Sequence, residues 1–147
     1  MLVTNHVLAG AVLGRAVPSV PVAFAGGVLS HLLLDAVPHW GARPMEEIMG
    51  VAVADGLSGL GAMATVTLAT EPARRLAVLA GMAGGAFLDL DKPSTVFFGF
   101  SPFPRLVDAF HARIQNESPR RMPQELLVGL TTSLVIAALT LRGRRRG

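Results

Sequence analysis

The chain has 147 residues, 51% of them hydrophobic and 16% charged, with a mean hydropathy of +0.51; an average soluble domain carries roughly 25% charged residues. The absence of cysteine excludes a disulfide framework and any thiolate metal site. The formal net charge is +3, but the basic residues fall between and after apolar runs with no aromatic residues among them, which fits membrane orientation and argues against nucleic acid as a partner.

Five apolar segments follow in chain order, Asn5–Val17, Val20–Val37, Glu47–Thr70, Arg74–Leu90 and Gln124–Leu141, against about 20 residues for a full bilayer crossing. No basic stretch precedes the first, so it is expected to be retained and not cleaved as a signal peptide. Pro18 and Pro21 predict a tight connection between two antiparallel helices, and Pro72 separates the third and fourth segments in the same way. The stretch from Lys92 to Pro123 is too polar to span and is expected to be re-entrant or interfacial, with Phe97, Phe98, Phe100 and Phe103 as an apolar anchor. Residues 142–147 form a basic tail suited to a cytoplasmic membrane edge.

The expected architecture is therefore all-α: a polytopic membrane helical bundle of about five short helices, with the re-entrant or interfacial segment before the last. It occupies a single integral membrane domain over residues 1–147. With alternating crossings, Arg15, Arg74, Arg75 and the tail share one side, while Arg43, Lys92, Arg105, Arg113, Arg120 and Arg121 share the other. The density of the tail next to the last crossing favours a cytoplasmic C-terminus.

Residues four apart share a helix face, and each intramembrane polar residue shares its stripe with glycine. His6 aligns with Gly10 and Gly14, His31 and Asp35 with Gly27, Asp55 with Gly59, and Asp89 with Gly85 and Gly81. Membrane helices approach closely at small residues, so these imidazoles and carboxylates are expected to face the bundle interior. An ionisable group near the bilayer centre costs on the order of 3 kcal/mol or more unless paired or metallated. A shared cation or mutual pairing would relieve that cost.

His31 and Asp35 stand one helical turn apart, and Pro38 is expected to turn the chain so that His39 folds back toward them. Trp40 suits the headgroup layer. In the alternating topology His6, His39, Asp89, Asp91 and His111 fall on that same side. Imidazole and carboxylate without thiolate fit a divalent cation, zinc before manganese or iron. The candidate ligands are thus His6, His31, Asp35, His39, Asp89, Asp91 and His111, with Asp55 behind them. Asp35, Asp89 and Glu117 are the candidate catalytic carboxylates, and Arg43 and Arg113 are candidates to hold an anionic headgroup.

Thr4-Asn5-His6, the run Ser30-His31 to Pro38-His39 and Leu88-Asp89-Leu90-Asp91 together resemble the small bacterial membrane-bound metal-dependent hydrolases, a group with proposed kinship to zinc-dependent phospholipase C. The resemblance implies an inner-membrane protein with a metal site near one surface, hydrolysing a phosphoester or related bond of a lipid-like substrate. It carries over His6, His31, Asp35, His39, Asp89 and Asp91. Relatives often show Pro-Asp-x-Asp-His, where this chain has Leu88 and Lys92 at the outer positions, and the lost ligand argues against a dinuclear centre. The alternatives are a cation-binding or transport protein without chemistry, and a structural subunit of a membrane complex.

Overall fold

The computed structural model describes residues 1–144, with side chains through 142, and is all-α. Seven helices run in order: α1 Val3–Ala16, α2 Val20–Ala36, α3 Met45–Leu68, α4 Arg75–Ala86, α5 Asp91–Phe98, α6 Arg105–Ile114 and α7 Met122–Arg144. Residues 145–147 of the basic tail lie outside the described residues.

α1, α2, α3 and α7 coincide with four of the five apolar segments, and Pro21 sits in the first turn of α2, where its missing N–H costs nothing. The fourth segment is broken. α4 stops at Ala86, and a 3₁₀ turn over Leu88–Leu90 leads into α5. A continuous helix would drive the ring of Pro93 into the carbonyl of Asp89. The polar stretch that follows is not a featureless loop: it contains α5, the amphipathic α6 and a two-residue strand, β2 (Glu117–Ser118), parallel to β1 (His39–Trp40). That pairing joins the end of α2 to the connection before α7.

The tightest packing is among α1, α2 and α4, and it is backbone against backbone. A Cβ at Gly81 would strike the carbonyl of Gly10, and one at Gly85 the carbonyl of His6; Gly27 is pressed against the main chain of Gly81 and Gly85. The glycine stripes of α1, α2 and α4 are thus the helix contacts expected of them. Gly59 differs, meeting only side chains of α1 at ordinary distances.

α3 and α7 flank α1. Glu125, at the start of α7, accepts hydrogen bonds from Leu2 N (3.1 Å) and Asn5 Nδ2 (2.7 Å), so α1 and α7 begin at the same end of the bundle. At the other end, Arg15 donates to Thr70 Oγ1 (3.0 Å) and Arg74 to the Arg15 carbonyl (3.4 Å). The 24 residues of α3 and 23 of α7 extend about 36 and 35 Å at about 1.5 Å per residue. Both are long and apolar enough to cross a membrane, and only 11% of either apolar window is buried. At 14, 17 and 12 residues, α1, α2 and α4 are shorter.

Candidate metal centre

Glycine contacts at the end of α2 decide what lies inside. Because Gly27 lets α2 lie on α4, His31 and Asp35, on the same stripe, are carried into the bundle with no solvent exposure. His31 Nδ1 lies 2.8 Å from the Gly85 carbonyl. A carbonyl only accepts, so Nδ1 carries the proton and Nε2 is turned toward Asp35, 3.0 Å away. His6 arrives from α1, and its ring stacks on that of His31 with centroids 3.9 Å apart.

Asp35 is the hub. Its Oδ2 lies 3.0 Å from both His31 Nε2 and His111 Nε2, which are themselves 2.9 Å apart, and accepts a hydrogen bond from Gln115 Nε2 at 2.8 Å. Its Oδ1 lies 3.1 Å from His6 Nε2 and accepts from the Met1 amino group at 2.8 Å. The Asn116 N–H donates to the Asp35 carbonyl (3.0 Å), which ties the end of α6 to the end of α2 and brings His111 inward. The triangle of His31 Nε2, His111 Nε2 and Asp35 Oδ2 has edges close to those spanned by ligands about 2.0–2.2 Å from one ion. Two imidazoles and one carboxylate are a donor set of catalytic zinc and non-haem iron sites.

Carboxylates surround this triangle. Asp91 Oδ2 is 3.6 Å from His111 Nδ1, on the far side of the ring from the triangle, as in a carboxylate–histidine–metal relay. Burial disfavours a charged His111, but Asp35 and Asp91 outweigh it and push its pKa up to about 9. Asp91 is in turn held below the usual carboxylate range: burial acts upward, and His111 and Lys92 more than offset it. Lys92 bridges Asp89 (3.5 Å) and Asp91 (3.4 Å), and these carboxylates raise its pKa against the effect of burial. His39 sits at the edge of the cluster, its Nδ1 2.9 Å from the Val37 carbonyl, its Nε2 3.0 Å from Gln115 Oε1 and 4.0 Å from Asp35 Oδ1. Both ring nitrogens face acceptors, and despite burial the nearby Glu117 and the Val37 carbonyl raise its pKa. Glu117, 3.8 Å from His39, is lowered chiefly by that contact.

The structure thus gathers His6, His31, Asp35, His39, Asp89, Asp91 and His111 at one end of the bundle, with Glu117 at its rim. Asp55 is elsewhere: from α3 it accepts hydrogen bonds from Val3 N (2.6 Å) and Thr4 N (3.1 Å), capping the helix that bears His6. Arg43 is exposed and 3.5 Å from Glu47, and Arg113 is exposed on α6; neither lines a described cavity beside the cluster. Lys92 does. Sequence reasoning passed over Lys92, Gln115 and Glu125. Gln115 was findable, since it follows His111 by one helical turn. Lys92 follows the Asp89-Leu90-Asp91 run directly. Glu125, which besides α1 holds Trp40 N at 3.0 Å, left no local signal.

Two cavities adjoin the cluster. One of about 540 Å³ lies among α1, α3 and α5, apolar along Val7, Ile48, Leu60 and Val96 and polar where Asp89, Lys92, Gln115 and Glu117 close it. The other, about 220 Å³, is lined by Asp91, Lys92, His111, Ala112, Gln115 and Glu117. Comparison with known protein families, curated proteins and solved structures finds no match for this chain.

Proposed function

We propose that this chain is a polytopic membrane protein and a metal-dependent hydrolase, acting on a phosphoester or related bond of a lipid-like substrate. The observation that carries the reading is the convergence of His31 Nε2, His111 Nε2 and Asp35 Oδ2 within 3.0 Å of one another, buried, with His111 lining the smaller cavity. His31 and His111 are oriented for ligation by the Gly85 carbonyl and by Asp91. A divalent cation, zinc first and manganese or iron next, would lower the pKa of a bound water and polarise a phosphoryl oxygen. Lys92, on the wall shared by both cavities, is placed to hold an anionic group, and Glu117 to accept a proton at the rim.

The membrane part of the reading is supported by an inverted distribution of polarity. Asn5, His6, His31, Asp35 and Glu125 are buried, while Leu57, Leu60, Leu127 and Leu130 are exposed along α3 and α7. In water such a leucine surface would drive association; in a bilayer it meets hydrocarbon. The resemblance to bacterial membrane-bound hydrolases favours the inner membrane, and Arg15, Arg74 and Arg75, gathered opposite the cluster, mark that opposite end, with the C-terminus, as cytoplasmic. The apolar cavity, within the roughly 300–1,000 Å³ of small-molecule sites, gives a lipid chain a place beside the cluster.

The test is metal analysis of detergent-purified protein with His31→Ala and His111→Ala variants, followed by phosphoesterase assay on lipid in mixed micelles. Metal that is lost in both variants, with turnover that stops on chelation, is the expected result. Metal bound without turnover on any phospholipid would leave a cation-binding or transport protein. Wild-type protein that takes up no divalent cation would defeat both.

A further inference from the structure

We infer that the centre holds two cations bridged by the Asp35 carboxylate, the second bound by Asp35 Oδ1, His6 and Asp89. This rests on the metal reading above and deepens it. The two oxygens of Asp35 face separate donor sets: Oδ2 meets His31 and His111, and Oδ1 meets His6 and the Met1 amino group, which a cation at Oδ1 would displace. His6 is wholly buried, yet neither of its ring nitrogens has a hydrogen-bond partner; Nε2 points at Asp35 Oδ1 (3.1 Å) and Asp89 Oδ2 (3.9 Å). Asp89 Oδ2 is unpartnered as well, because Lys92 occupies the other oxygen of that carboxylate at 3.5 Å. Buried polar atoms are almost always satisfied, so His6 Nε2 and Asp89 Oδ2, which face each other, call for a partner between them.

The spacing agrees. The stacked rings of His6 and His31 lie 3.9 Å apart and present Nε2 to opposite oxygens of one carboxylate, and paired catalytic ions sit about 3.5–4 Å apart. Lys92 stands where the motif of the resembled hydrolases has a histidine, but His111, from outside that motif, supplies an imidazole. One imidazole and two carboxylates are a harder donor set than the two imidazoles and one carboxylate of the first position, so the second cation should exchange more readily. A pair of ions would clamp the attacking and leaving oxygens of an in-line displacement, which suits the phosphoester substrate proposed above.

Full-length protein in detergent, loaded with Mn²⁺ or Zn²⁺ and dialysed, is to be assayed for metal per chain, with electron paramagnetic resonance on the Mn²⁺ form. Wild type should hold two ions with an exchange-coupled Mn²⁺ spectrum. Asp89→Asn, which keeps the side-chain shape, and His6→Ala should each hold one and show an isolated Mn²⁺ signal, while Asp35→Asn should lose both. One ion in wild type that persists in Asp89→Asn and His6→Ala but disappears in His111→Ala would overturn the second position and leave the first standing. No ion in wild type would remove both. Should the variants fail to fold, an uncoupled wild-type spectrum alone overturns the inference, and a coupled one supports it.

Discussion

The three inner helices and the two long outer ones solve opposite problems. α1, α2 and α4 are short and meet through Gly10, Gly27, Gly81 and Gly85 with almost no side-chain volume between them. α3 and α7 are longer, at 24 and 23 residues, touch mainly α1, and leave their leucines uncovered. Close backbone contact fixes helix positions by steric exclusion, which suits a cluster that must be held to fractions of an ångström. The flanking helices supply an apolar, mostly exposed coat, and should tolerate change.

That contrast is broken most directly at Gly81. Gly81→Leu would place side-chain atoms on the Gly10 carbonyl, and overpacking of about 3 kcal/mol or more is expected to abolish the monodisperse detergent-solubilised protein on size exclusion, whereas Leu127→Ala on exposed α7 should cost under about 0.5 kcal/mol. Equal losses in the two variants would end the distinction. At the cluster itself, His111 must shed its proton to ligate, and its pKa of about 9 implies that metal affinity rises about tenfold per pH unit as pH increases toward that value. Below pH 9 binding should release a proton, measurable by calorimetry in buffers of different ionisation enthalpy; pH-independent affinity between 6 and 8 would contradict His111 as a ligand.

Where outer helix meets inner, the effect is smaller. Asp55→Ala removes the acceptor for Val3 N and Thr4 N and should lower stability by about 1 kcal/mol, the usual cost of losing a helix cap, visible as a lower thermal midpoint. Opposite in sign is Gly61→Ala on α3, where a methyl group meets nothing. It should stabilise by up to about 1 kcal/mol through helix propensity. Destabilisation there would show that α3 has a partner against that face.

Much of this arrangement was legible because helical periodicity is local. Glycine four residues from His6, His31 and Asp89 is enough to say which way those side chains turn, and helices that alternate in direction bring them to one end. The break at Ala86 was missed because an apolar run does not register the collision between Pro93 and the Asp89 carbonyl. His111 lies on an amphipathic stretch that could equally have rested at an interface, and long-range ties, among them Asn116 N to the Asp35 carbonyl and the β1–β2 pairing, draw it in. Glu125 reaches Leu2 across 123 positions, a separation at which sequence pattern carries no information.

The contact of Gly81 with Gly10 and of Gly85 with His6 is main chain on main chain, so the geometry of the cluster owes little to which apolar residues surround it. Substitution should therefore be tolerated better at exposed leucines such as Leu57 and Leu127 than at these glycines. On the membrane reading proposed above, α3 and α7 could lengthen or shorten to match a bilayer without retuning the histidines.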